Sequence, residues 1–515
     1  MVAPAAAWRA PAGLLRRPFV GVVLVLVAVG GLGLRVWVYR SALGVPDSDE
    51  AVVGLMARHV LHGQVTTFFW GQAYGGSQEA LLTAPLFALF GSGWLLLRVV
   101  PIVLSAVASL VVWQVGRIAV GARGANVAAV ALWIWPPYLV YYLTHQWGFY
   151  SSGLVYCGLL LLLALQVAEQ PTALRCSLLG LVIGLAVWED IQLAPIIVPV
   201  VAWTVWQGRR ALARLSAAVP FAVLGATPWL LWNTRHGWRS LSSPLGGDTT
   251  TYQHRLRVFA SPLLPMLLGL RASYTQRPLL ATAFADGVYL LLIAAAGYGA
   301  YVTRHRNVSL LYVVLAAFPF VYALSPQTLA EQVPRYLLVL SPVLVLLLAQ
   351  LATSRIRAFG VVAAIAAVSL INLQRMDTWW RTVPPNPPIA PRNLQPLIAT
   401  LDRLQVDHVY ATYWLAYRLD FETHERIVAA ENRLTDIHIT GQTAVANPNP
   451  QTDPPSRYPT YTKQVSSDPR HGFVFFNREP GDIRRAQRAK VMKFLLAHGY
   501  TAHPVSIFTI YTKRR

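Results

Sequence analysis

The sequence predicts a polytopic α-helical membrane protein, with about eleven transmembrane helices and a small C-terminal extracytoplasmic α/β domain, on three observations. Hydrophobic residues make up 55% of the 515 and charged residues only 13%, about half the roughly 25% charge of an ordinary soluble domain. Apolar runs recur through the first 374 residues where soluble domains would alternate apolar and polar positions. Beyond Gln374 the composition turns soluble, starting with Val383-Pro384-Pro385-Asn386-Pro387-Pro388.

The first run, 19–38, follows Arg9, Arg16 and Arg17. It is too long for the core of a signal peptide, and Arg35, Tyr39 and Arg40 stand where a small-residue cleavage site would be, so it reads as a retained first span. Further spans are expected at 95–115, 125–143, 152–168, 177–188, 191–207, 216–233, 282–303, 308–324, 336–353 and 358–374. Placing the N-terminus in the cytoplasm puts Arg9, Arg16, Arg17, Arg117, Arg123, Arg175, Arg209, Arg210, Arg214, Arg304, Arg306, Arg355 and Arg357 on that side, against Glu169 alone. That asymmetry is the orientation signal of short cytoplasmic loops. An odd number of spans then leaves the C-terminus outside. The apolar piece Ala80–Phe90 is shorter than the roughly 17 residues a span needs. It is expected to lie at the outer face, within a long first outer loop over 39–93. A second outer loop, about 234–280, mixes arginines with apolar patches, as helices on a membrane surface do.

In the soluble part, 375–399 reads as a linker and 400–515 as the α/β domain. Strands are expected at 407–412, 426–430, 472–476 and 505–511, helices at 415–421 and 484–498, and a proline-rich loop at 446–459. The net charge of +21 and pI near 10.3 raise nucleic acid as a partner. No basic stripe with interleaved aromatics, zinc spacing or RNA-binding motif accompanies them, so nucleic acid is set aside. Two cysteines, Cys157 and Cys176, exclude a disulfide framework and read as packing residues.

Chemistry concentrates in the outer loops. Asp47, Asp49 and Glu50 are three of only ten acids among residues 1–375 and fall within four positions just after the first span. They suit a capped helix start, with acids favoured in the first turn. They equally suit general-base work or the binding of a hard divalent cation. Trp70-Gly71-Gln72-Ala73-Tyr74-Gly75-Gly76-Ser77-Gln78-Glu79 offers hydrogen bonds and flat faces for a sugar through Gln72, Tyr74 and Glu79, or is an ordinary turn with an interfacial anchor. Glu189 and Asp190 sit in a hairpin too short to leave the membrane surface and need water, a cation or a basic partner. His145 lies on the same face, where an interfacial role competes with a functional one. Arg335, followed by Tyr336, opens a late span. It either snorkels or presents its fork to a lipid phosphate.

In this order the motifs resemble those of the GT-C glycosyltransferases, polytopic membrane enzymes, especially bacterial relatives of protein O-mannosyltransferases and of the lipid A aminoarabinose transferase. The features are Asp49-Glu50; Gly71-Gln72-Ala73-Tyr74-Gly75-Gly76-Ser77-Gln78-Glu79-Ala80; Gly116-Arg117 with Gly121-Ala122-Arg123; Gly225-Ala226-Thr227-Pro228-Trp229 with Asn233; and Pro334-Arg335-Tyr336 with Pro342. The resemblance spans about 19–374. It implies a membrane glycosyltransferase that moves a sugar from a polyprenyl-phosphate donor to an extracytoplasmic glycan, lipid or protein. Asp49 would act on the acceptor, with Glu50 beside it, and Arg335 with Tyr336 would hold the donor phosphate. Asp47 is an extra acid relative to the family pattern, which leaves open whether it or Asp49 is the base. Acids alone do not separate a base from a cation ligand, so a divalent cation stays open as cofactor and no metal site is assigned. The rival classes are a transporter or lipid-linked sugar flippase, and a non-catalytic envelope assembly protein. The clustering of unusual residues on one face favours a one-sided enzyme over a transporter with midplane sites.

Overall fold

The computed structural model describes residues 18–241, 250–302, 305–325, 331–382, 391–431, 456–477 and 482–513. The proline run at 383–388 and most of the expected loop 446–459 lie outside the described residues. The first apolar run forms helix α1 (Pro18–Arg40), followed by α2 (Ser48–Leu61) and α3 (Gln78–Phe90) in the first loop. Next come α4 (Trp94–Ala119), α5 (Gly121–Ile134), α6 (Pro137–Tyr142), α7 (Tyr150–Glu169), α8 (Ala173–Glu189) and α9 (Ala194–Gln207). The short α10 (Leu212–Leu215) precedes α11 (Ala218–Gly225) and α12 (Thr227–Arg235); α13 (Tyr252–Val258) and α14 (Leu264–Leu267) lie in the second loop. The membrane half closes with α15 (Thr282–Val302), α16 (Arg306–Tyr322), a 3₁₀ segment Arg335–Leu340 running into α17 (Ser341–Ala349), and α18 (Arg355–Thr382).

Each apolar run expected to span is thus helical, but four are divided, including 191–207, where a 3₁₀ turn Ile191–Leu193 precedes α9. Proline explains the divisions: Pro136, Pro195, Pro228 and Pro342 sit at the start of the second piece, where a missing backbone N–H costs nothing. Four helices among the described residues, α4, α7, α15 and α18, are each long and apolar enough to cross a membrane alone, and two pairs bent by 74° bring the number up to six. Ala80–Phe90 belongs to α3, which at 13 residues is too short to span alone.

The C-terminal domain holds α19 (Gln395–Leu404), β1 (His408–Ala411), α20 (Tyr413–Glu422), β2 (Val428–Glu431), α21 (Pro459–Ser467), β3 (Gly472–Phe476), α22 (Asp482–Ala497), β4 (Tyr500–Val505) and β5 (Phe508–Lys513). The strand order is β2-β1-β3-β5-β4, with β1 parallel to β2 and β3, and β5 antiparallel to β3 and β4. The single final strand expected at 505–511 is instead a hairpin turning at Ser506-Ile507. Pro504 hides β4 in the sequence, yet it is tolerated because β4 is an edge strand, where a ladder N–H is not needed on one side.

This domain does not stand apart. One apolar core fills the membrane half, and a second joins α2, α3 and the start of α4 to the C-terminal domain, through Val52, Leu55, Phe87 and Leu97 against Leu415, Leu419 and Phe421. Gly54 lets the Phe421 ring approach α2, and Arg58 lies 4.2 Å over that ring while donating to the Phe421 carbonyl at 2.8 Å. His59 meets the Glu425 carboxylate at 2.8 Å, which also accepts from Tyr461 at 2.6 Å. The first loop is therefore the floor on which the α/β domain rests.

Candidate active site

A cavity of about 370 Å³ opens where three parts of the chain meet. The first loop contributes Asp49, Phe69, Gln72 and Tyr74. The membrane half contributes Tyr142, Trp147, Phe149, Tyr150, Arg335 and Tyr336. The C-terminal domain closes it with Tyr413, Trp414 and Arg457. The walls are mostly aromatic, with Asp49, Arg335 and Arg457 the charged side chains among them.

Helix phase separates the three clustered acids, because successive residues of α2 point about 100° apart. Asp47 is the N-cap: its Oδ1 accepts from the Glu50 N–H at 3.0 Å and its Oδ2 from the Trp147 indole N–H at 2.8 Å. Burial, then the charges of Asp49 and Glu50, push the Asp47 carboxyl well above the usual range. Glu50 turns inward, where it accepts from Arg98 Nε at 2.7 Å, from Arg98 Nη2 and from the Gln146 N–H at 3.0 Å. Burial, the largest influence, would raise the Glu50 carboxyl, but the Arg98 charge acting together with the hydrogen bonds from Arg98 and the Gln146 N–H holds it below its normal value. Asp49 faces the cavity, its side chain 33% exposed against 0% for Glu50. It accepts from the Tyr413 hydroxyl, and Arg457 Nη2 lies 3.8 Å from its Oδ1. Asp49 is thus brought to the cavity, while Asp47 and Glu50, expected beside it as site acids, serve the helix start and a buried ion pair.

Removing one partner of such a pair leaves an uncompensated buried charge, which costs about 3–5 kcal/mol. Arg98→Leu is expected to lower the thermal midpoint in detergent sharply or abolish recovery of folded protein; an unchanged midpoint would contradict the structural role of the pair.

Arg335 stacks 4.6 Å over the Tyr336 ring, and its Nε has no hydrogen-bond partner. Among the described residues none of the ion pairs includes it. Gln72, with its amide oxygen toward the guanidinium of Arg457, accepts from it at 2.5 and 3.2 Å. Burial pushes the Tyr74 hydroxyl up to about 12, keeping it a donor.

Glu79, Glu189, Asp190 and His145 are not among the residues that line the cavity. Glu79 Oε1 accepts from Ser151 Oγ at 2.6 Å and the Ser152 N–H at 2.9 Å, and the Ser152 hydroxyl lies between Glu79 and Glu189. Gly76 fits against Glu189: its N–H donates to the Glu189 carbonyl, and a Cβ there would stand 2.7 Å from the Glu189 Cα. Asp190 caps the turn before α9, accepting from the Gln192 N–H at 2.9 Å, and burial pushes its carboxyl up to about 7. His145 stacks on Trp147 at 4.4 Å and donates through Nδ1 to the Tyr141 carbonyl at 3.0 Å. Burial, then the Arg98 charge, push the imidazole down to about 4, so it is neutral. These groups hold the loop and the wall behind the cavity.

Burial pushes Glu79 up to about 7, against the Ser151 and Ser152 hydrogen bonds. The folded chain therefore keeps a proton that the unfolded chain has released, so stability falls as pH rises from about 4.5 to about 7, by an amount on the order of 3 kcal/mol. Glu79→Gln is expected to flatten that slope in thermal unfolding and to leave the midpoint at pH 8 unchanged or higher. A lower midpoint at pH 8 would show that the carboxylate itself is stabilising.

Arg457 and Tyr413 are the contributors that sequence reasoning missed or only half saw. Tyr413-Trp414 opens α20, two residues ahead of the helix expected at 415–421; Leu415 and Leu419 fill the core while these first two residues face the cavity. Arg457 lies at the end of a stretch read only as a proline-rich loop; its aromatic neighbour Tyr458, stacked on Trp70 at 4.2 Å, was the available signal. A larger opening of about 970 Å³ between α1 and α18 is lined mainly by aliphatic and glycine residues, with Asp377 paired to Arg381 at 2.8 Å, and none of the candidate residues line it. No group of three or more His, Cys, Asp or Glu suited to a metal occurs among the described residues.

No protein-family model matches the sequence, and no curated protein matches it. Solved structures do. ArnT from Cupriavidus metallidurans in the apo state superposes at TM-score 0.60 and 14% identity, over 96% of this chain and 98% of that one. The same protein bound to undecaprenyl phosphate gives 0.60 at 13% identity, over 96% and 97%. The archaeal oligosaccharyltransferase AglB from Archaeoglobus fulgidus, in complex with an inhibitory peptide and a dolichol-phosphate, gives 0.45 at 12%, over 96% and 75%. Along nearly its whole length, membrane half and C-terminal domain together, the chain shares the fold of ArnT.

Proposed function

We propose that the protein is a membrane glycosyltransferase that transfers a sugar from a polyprenyl-phosphate donor to an acceptor on the extracytoplasmic face of the cell membrane. The observation that carries this reading is the shared cavity: a carboxylate, Asp49, and a guanidinium outside any described ion pair, Arg335, line one aromatic-walled space between the membrane half and the soluble domain. The shared fold adds support, since ArnT has been solved bound to undecaprenyl phosphate. In this reading the chain crosses the membrane eleven times, with the N-terminus cytoplasmic, the membrane domain ending near residue 374 and the α/β domain outside. The acceptor is a glycan, lipid or protein of the cell envelope.

The acceptor hydroxyl sits at Asp49, which takes its proton as the oxygen attacks the anomeric carbon. Tyr413 holds the carboxylate's orientation through its hydroxyl. The bond between that carbon and the phosphate oxygen breaks, and negative charge grows on the phosphate, where Arg335 meets it with its fixed fork. Tyr142, Trp147 and Tyr150 supply flat faces for the sugar. The test is turnover: purified protein with a panel of undecaprenyl-phosphate sugars and an envelope extract as acceptor source should consume at least one donor. Failure to consume any of them would overturn the reading.

A further inference from the structure

Resting on the transfer reading, we propose that Arg457 of the C-terminal domain is the second ligand of the donor phosphate, so that the soluble domain supplies half of the cationic charge used in the transfer step. Its backbone is anchored at the cavity rim. The Arg457 N–H donates to Glu431 at 3.3 Å, and the Tyr458 N–H to the Tyr417 hydroxyl at 3.2 Å. Gly71, at φ +69°, has no Cβ, which would stand 2.7 Å from the Arg457 Cα. From that anchor the guanidinium reaches into the cavity, 5.3 Å from the Phe69 ring and 5.2 Å from the Tyr413 ring. Its approach to Asp49, 3.8 Å, is longer than a hydrogen bond, so this pairing is loose. Arg457, Arg335 and Tyr74 line the same cavity, which puts the two guanidiniums around one space.

The charge count of the reaction calls for two cations. Before transfer the cavity holds the Asp49 carboxylate and a singly negative phosphodiester. The acceptor oxygen then bonds to the anomeric carbon, the carbon–oxygen bond to phosphate breaks with its electron pair on the phosphate oxygen, and the acceptor proton passes to Asp49. Afterwards Asp49 is neutral and the phosphate monoester is doubly negative. Two guanidiniums balance both states; Arg335 alone leaves a net negative charge throughout. Arg457, beside Asp49, loses its carboxylate partner at the moment the phosphate gains charge.

Binding of undecaprenyl phosphate to the full-length protein in nanodiscs tests this, with Arg457→Lys, Arg457→Met and Arg335→Gln and with thermal midpoints measured in parallel. Arg457→Met is expected to weaken binding about 10–100-fold, the loss of a charge-assisted hydrogen-bond pair, and Arg457→Lys to recover most of it. Wild-type affinity in Arg457→Met with loss in Arg335→Gln would overturn the role of Arg457 and leave the transfer reading standing. Equal losses in Arg457→Lys and Arg457→Met would reduce Arg457 to a docking residue and overturn the proposal. Absence of binding to the wild type would overturn the proposal together with the transfer reading.

Discussion

Asp49→Asn is expected to reduce sugar transfer by about 10²–10⁴-fold, the usual contribution of a positioned general base, while binding of undecaprenyl phosphate and the thermal midpoint stay near wild type. The substitution keeps the shape and an acceptor oxygen for the Tyr413 hydroxyl, and the side chain is already 33% exposed, so little folding energy rests on its charge. Neighbouring acids cannot take over. Glu50 is fully buried with both oxygens engaged by Arg98. Asp47 is held by the start of α2 and the Trp147 indole, and its raised affinity for a proton comes with no place on the cavity wall. Asp47→Asn keeps a good N-cap and is expected to lose less than about tenfold in rate, well below the contribution of a base. Initial rates measured at saturating donor check both; a larger loss in Asp47→Asn than in Asp49→Asn would reverse the assignment.

The second large effect is expected from Arg335→Gln, with turnover lowered by about 10²–10³-fold, the scale of removing one donor aimed at developing charge. Its guanidinium lies along the Tyr336 ring, and no carboxylate among the described residues forms an ion pair with it. A cation kept in that state loses hydration without gaining an ionic partner from the chain, so a ligand anion is its natural counter-charge. Arg335→Lys retains the charge but not the fork or the stacking, and is expected to fall between Gln and wild type. The check is a comparison of turnover and undecaprenyl phosphate affinity in the three proteins. Equal turnover in all three would remove Arg335 from the phosphate site.

The helical course of the membrane half was legible because apolar runs announce themselves whatever their tertiary partners. The interruptions at Pro136, Pro228 and Pro342 were written in the sequence too, though a run read for hydropathy alone passes over them. The acids of the first loop stood out as candidates, but which one faces the cavity depends on the phase of α2. That phase is set by Asp47 acting as N-cap and by Glu50 finding Arg98, a partner 48 residues away. Glu79 and Glu189 share the polar look of Gln72 and Tyr74, and only packing against Ser151 and Ser152 separates buried braces from wall residues. The contribution of the C-terminal domain was the least legible: Tyr413 meets Asp49 across 364 positions of sequence. Nothing local in either segment encodes that meeting, which depends on α20 docking on α2.

The most direct test of sugar transfer is a paired measurement on the purified full-length protein in sealed proteoliposomes, with undecaprenyl-phosphate sugars and acceptor supplied outside. Undecaprenyl phosphate released and sugar gained by the acceptor are counted in the same sample. Equal amounts of the two are expected, on the side that holds the α/β domain, with both lost in Asp49→Asn. Donor that crosses the bilayer with its sugar still attached, and no acceptor gain, would contradict it and identify a flippase.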